Sequence, residues 1–190
     1  MPELPIVELP DQDAWRGWLK ANHASEDGVW LKLAKKSSPR RTVTQPEAIE
    51  EALCFGWIDG QGRSYDEHFY LQRFTPRRAR SKWSQINTEK AKRLIAEGRM
   101  HPAGLAQVEA AKADGRWDAA YPAQSQAQVP EDLRRALDAN PTAGEFFETL
   151  TGSTRYAFLY RLHHIRNPES RARRISTYIE LLSERRTLDG

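Results

Sequence analysis

The 190 residues are 39% hydrophobic and 29% charged, with a net charge of +3. That balance excludes a disordered chain and a histone-like polycation, and it suffices for one well-cored domain or a compact domain with a helical extension. No apolar run is long enough to cross a bilayer, and the single cysteine, Cys54, excludes an internal disulfide and a cysteine-based zinc site. The opening MPELPIVELPDQ has neither a positive n-region nor a long apolar h-region. A cytoplasmic protein without a secretory signal is therefore expected.

In chain order, Asp11 is a good N-cap for a helix over 12–22, with Ala14, Trp15, Trp18 and Leu19 on one face. Branched and aromatic residues alternate over 29–33 and predict a strand. A basic loop, 35–41, follows. Thr44-Gln45-Pro46-Glu47 is a capping box that starts a helix ending at Gly56. Strands are expected over about 57–63 and 68–75, with a turn at 64–67 between them. Thr88 reads as the cap of a helix that ends at Gly98, with Ala91, Leu94 and Ile95 inward. Pro102 opens another that ends at Gly115, with Leu105, Val108 and Ala111 in phase.

The Ala, Gln and Ser of 119–129 suit a linker. Beyond it, a helix is expected from Pro130 to Ala139. A second capping box, Thr142 to Glu145, leads into Phe146 and Phe147. Further helices follow over 154–164 and from Asn167, the last carrying Ile175, Tyr178, Ile179 and Leu182 at helical spacing. The predicted fold class is α+β: a small antiparallel sheet with helices, then a C-terminal helical bundle. The predicted domains are 1–118, with the hairpin, and 130–190.

Charge is uneven along the chain. Arg73 to Arg93 holds eight basic residues against one acidic residue, Glu89. Side chains alternate along a strand, so Trp57, Asp59 and Arg63 share one face, and Arg73, Thr75 and Arg77 share another. Odd-against-odd pairing would bring Asp59 to Arg73 or Thr75. Arg77, Trp57 and Thr75 would then meet a ligand, and Gly60 and Gly62 would leave room beside it. Trp83 and Asn87 lead into the next helix start, where anions are favoured. The predicted ligand-binding set is Trp57, Asp59, Gly60, Arg73, Thr75, Arg77, Trp83 and Asn87, and the predicted ligand is anionic. The competing reading makes Trp57 and Trp83 core, Asp59–Arg73 a structural pair and the glycines a bulge.

Nothing indicates a metal or cofactor. His163 and His164 point about 100° apart on a helix. His68 and His101 lack partner spacing, and neither a Walker A nor a G-x-S-x-G pattern occurs. Cys54 falls on an apolar helix face and reads as core. No catalytic residue is assigned. Asp59 beside an Arg would be a poor general acid at neutral pH.

The segments ALCFGWIDG (52–60), LQRFTPRRARSKWSQIN (71–87) and GRMHPAGLAQVEAAKADGRWD (98–118) resemble the YdeI/OmpD-associated, or bacteriocin-protection, family. The run from Arg155-Tyr156 through Pro168-Glu169-Ser170-Arg171 to Ile175 is similar to that family's terminal helical segment. His163-His164 stands where more basic residues are expected. The resemblance implies a link to protection against bacteriocins and cationic antimicrobial peptides, and association with an outer-membrane porin. It brings no catalytic residues. The expected function is a non-catalytic binding or stress-protection protein that recognises an anionic small molecule or protein partner. The alternatives are a single-stranded nucleic-acid binder, through the interleaved basic and aromatic residues of 77–83, and an enzyme using Asp59.

Overall fold

The computed structural model describes residues 3–188. Two compact units divide the chain, one ending at Ala120 and one starting at Tyr121.

The first unit opens with β1 (Ile6–Glu8), which was not expected from the sequence because a segment so short carries no alternation to read. Helix α1 (Gln12–Asn22) starts where the Asp11 carboxylate accepts from Ala14 N at 2.9 Å. Its spacing buries Trp15 and Leu19. Strand β2 (Val29–Ala34) buries Val29, Leu31 and Leu33 on one face. Helix α2 (Gln45–Cys54) begins at the expected capping box, with Thr44 and Glu47 bonded reciprocally. At Gly56, φ is +74°, a backbone open to glycine at no steric cost, and the chain turns directly into β3 (Trp57–Ser64). Asp66 holds the hairpin by accepting from His68 N at 2.8 Å and Phe69 N at 2.7 Å. Strand β4 (Phe69–Pro76) follows.

The sheet order is β1-β2-β4-β3. Strands β3 and β4 pair antiparallel as expected, β2 joins β4 antiparallel on its other side, and β1 lies parallel to β2. The sheet is therefore mixed, within the predicted α+β class.

Helix α3 (Gln85–Ala96) departs from expectation at its start. Ser84 is the cap, accepting from Asn87 N at 3.1 Å, and Thr88 lies inside the helix with its hydroxyl donating to Gln85 O. Both hydroxyl residues can cap, and this phase buries Thr88, Ala91 and Leu94 together. Ile95 and Leu105, expected inward, are 38% and 36% exposed. Helix α4 (Pro102–Ala113) packs on α2 so closely that a Cβ at Gly104 would lie 2.2 Å from Cys54 O.

One core, built on Trp15, Leu31, Trp57, Phe74, Leu94 and Val108, fills the space between these helices and one sheet face. Full burial of each large side chain contributes about 2 kcal/mol.

The second unit is helical. A short 3-10 turn, Gln124–Gln126, precedes α5 (Glu131–Asp138), α6 (Pro141–Thr149), α7 (Gly152–His163) and α8 (Pro168–Ser183). Helix α6 starts at Pro141 after Asn140, so the box expected at Thr142 is not used. Leu133, Phe147, Phe158, Leu162, Tyr178 and Leu182 form a separate core. Asp132 ties α5 to Arg171 of α8, with Arg171 Nε 2.5 Å from Oδ2.

Candidate functional site

The hairpin carries two registers. Near its turn, Arg63 pairs with Leu71 and Gly62 with Gln72. Beyond an irregularity between Asp59 and Gly62, Asp59 pairs with Phe74 and Trp57 with Pro76. One extra residue in β3 thus changes the pairing from odd-against-odd to odd-against-even. A slip of one residue moves side chains to the opposite face. Trp57 and Asp59 consequently join the face of Phe74. Arg63, Arg73 and Thr75 take the other.

This overturns the expected convergence of Trp57, Asp59, Arg73 and Arg77. Trp57 is 1% exposed, and its indole N–H donates to His23 O at 3.2 Å. It is core. Asp59 is half-buried, opposite Phe74, and makes no pair with Arg73. Arg77 is buried, stacked 3.8 Å above the Trp83 ring, and donates to Lys82 O at 3.2 Å. Trp83 packs in turn on Trp117, with ring centroids 5.0 Å apart. The 77–83 segment therefore turns its aromatic inward and offers no stacking surface. Asn87 sits in the first turn of α3, its N–H used by Ser84.

Gly60, Arg73 and Thr75 do remain together, on the sheet face away from the core. That face reads as three rows. Ile6, Trp30 and Arg73 align across β1, β2 and β4. Glu8, Lys32, Leu71 and Arg63 align across all four strands. Ala34 aligns with Phe69. Apart from its strand backbone, none of this belongs to the helix-covered core. Instead the rings are overlaid by cations. The Arg63 guanidinium lies 4.3 Å from the Trp30 ring. Lys32 Nζ lies 4.3 Å from Phe69 and 5.0 Å from Tyr65. Each such contact contributes about 0.5–1 kcal/mol at an exposed site.

Lys32 also donates to Glu8 at 2.6 Å, and that bond raises its pKa. Arg73 differs. Its Nε is buried without a hydrogen-bond partner, and among the described residues its side chain makes no ion pair. A Cβ at Gly60 would lie 3.3 Å from that Nε, so glycine leaves the space the Arg73 side chain occupies. Where β2 ends, Ala34 also borders a groove of about 460 Å³ lined by Lys35, Lys36, Arg40 and Arg41 together with Asp11 and Glu47.

The sequence reading missed Trp30, Lys32 and Tyr65. The signal was present: in Val-Trp-Leu-Lys-Leu, the aliphatic residues mark one face and Trp30 and Lys32 mark the other.

A second polar cluster is structural. Glu51, 2% exposed, accepts from Arg16 and Arg99 at 2.6 Å each and from Gln12 at 2.7 Å. Beside it, burial pushes the Cys54 thiol pKa up, away from the thiolate a nucleophile needs. Among the described residues, no group of three His, Cys, Asp or Glu side chains is arranged to hold a metal. No helix there is long and apolar enough to cross a membrane.

Residues 7–107 match the family model of a domain of unknown function (DUF8412), and residues 126–185 match that of bacteriocin-protection, YdeI or OmpD-associated proteins. The motifs at 52–60 and 71–87 lie within the first match, and the run from Arg155 to Ile175 lies within the second. Searches of curated proteins and of solved structures gave no match.

Proposed function

This chain belongs to the family of the domain of unknown function DUF8412 and carries a bacteriocin-protection, YdeI or OmpD-associated segment; from that premise we propose that it is a non-catalytic, cytoplasmic stress-protection protein that binds an anionic partner. The binding surface is the outer face of the sheet, around Arg73, Arg63, Trp30 and Lys32. The observation that carries this reading is Arg73: a guanidinium on a cationic face with no carboxylate of its own. A cation left unpaired beside Arg63 is repelled by its neighbour, and a bound anion relieves both.

A basic face repels cationic peptides. Protection against them is therefore indirect, through what the protein binds rather than through capture of the peptide.

Tripolyphosphate is the probe. It should raise the thermal midpoint by several degrees at saturation. Arg63→Ala with Arg73→Ala should abolish that rise without altering the far-ultraviolet spectrum. Absence of a rise, or a rise untouched by the double substitution, would sink the reading. Cells expressing the protein should also survive a bacteriocin challenge better than cells expressing the double variant.

A further inference from the structure

We infer that the partner on this face is single-stranded nucleic acid, an inference that rests on the anion-binding reading above and names the occupant. The first argument is extent. Rows two residues apart along a strand are separated by roughly 7 Å, so the three rows span roughly 13 Å. Ala34 of the last row also borders the groove beyond it, where Lys35, Lys36, Arg40 and Arg41 outnumber Asp11 and Glu47. A single phosphate or carboxylate cannot reach Arg73, Lys32 and that groove together. A linear polyanion can.

The second argument is the alternation of charge with flat rings. Trp30 is half-buried under Arg63, and Tyr65 is 48% exposed at the hairpin end. Trp30 and Phe69 are covered by Arg63 and Lys32, so the flat groups this face presents are the Arg63 guanidinium plane and the Tyr65 ring, on both of which an unstacked base can lie. An acidic peptide would satisfy the cations and leave the rings unused. A duplex would keep its bases stacked and away from them.

The third argument is the fate of the nearby carboxylates. Glu8 is bonded to Lys32 and Asp66 to the hairpin backbone. Glu67 lies 3.3 Å from His68, Asp11 caps α1, and Glu47 closes on Thr44. Only Glu8 is neutralised by a lysine or arginine; Asp66, Glu67, Asp11 and Glu47 keep their charge. But Arg63, Arg73, Lys36, Arg40 and Arg41 have no carboxylate partner among the described residues, and with Lys35 the cations outnumber those carboxylates. The face therefore keeps its positive potential.

The test is fluorescence anisotropy with a labelled twelve-nucleotide oligo(dT) on the full chain. Binding is expected at low salt. With about four phosphates contacted, affinity should fall about 50-fold between roughly 50 and 200 mM salt. Arg63→Ala with Arg73→Ala should weaken it at least tenfold, and Tyr65→Ala about fivefold. Arg63 and Tyr65 are exposed and Arg73 is half-buried, and a cooperative thermal transition with an unchanged far-ultraviolet spectrum without ligand verifies that each variant is folded.

Four results would overturn the inference. They are no binding of the oligonucleotide, equal binding of a duplex of the same length, equal binding of polyglutamate, and binding indifferent to all three substitutions. If tripolyphosphate still acts through Arg63 and Arg73 while the oligonucleotide does not bind, the anion-binding face stands and its occupant is another anion. If neither binds, both readings fall.

Discussion

At the scale of single residues, small groups decide where large ones go. Gly104 has no side chain because the carbonyl of Cys54 occupies the place of a Cβ, 2.2 Å away. Gly104→Ala must therefore push α4 off α2, and it should cost about 3 kcal/mol in urea denaturation. Gly98 offers a control for the crowding argument: its Cβ would meet no atom within 4 Å, so any cost there comes from its φ of +67° alone. Crowding at Gly60 is milder: a Cβ there would lie 3.3 Å from Arg73 Nε, a side-chain atom that can shift, and not against backbone. The sequence grouped Gly60, Arg73 and Thr75 with five other residues, and these three share one sheet face. It also marked Trp57 and Arg77, whose aromatic and planar groups suit a binding wall and a core equally well. Composition along a strand cannot separate those uses, because both want a large flat group with one polar edge.

At the scale of elements, helix starts were largely legible because caps are local chemistry. Asp11 and Thr44 act as expected. Where two caps compete, as Ser84 and Thr88 do, the choice falls to whichever phase buries the apolar side chains. Between helices, Asp132 and Arg171 show how one pair orients two elements. The hydrogen bond from Arg171 holds the Asp132 carboxyl below the usual carboxylate range. A depressed folded-state pKa contributes stability above the unfolded value of about 3.9, and that contribution is lost as pH falls through the folded value. Both side chains are partly exposed, so solvent screening limits it to about 1 kcal/mol. Asp132→Asn should thus lower the unfolding midpoint at pH 7 and have little effect at about pH 2. An equal deficit at both pH values would show that the pair acts by shape and not by charge.

At the scale of the whole molecule, the two cores share no residue, so each unit has its own reason to fold. A fragment ending at Ala120 should give a single cooperative thermal transition and retain the oligonucleotide response, because every side chain of the proposed face lies in it. Circular dichroism and anisotropy on that fragment measure both. The α+β class, the positions of most helices and strands, and the basic character of the hairpin are legible in the amino-acid order, since these follow from periodicity, caps and charge within a few residues of each other. Which side chains meet depends on contacts between segments distant in the chain. The irregularity between Asp59 and Gly62 turns Trp57 and Asp59 to the core face and leaves Arg63 with Arg73 outside, and the pairing of β2 with β4 sets Trp30 beside Arg73. The physical reason is that a strand's two faces differ by one residue of register, and register is settled by burial against helices far away in the chain.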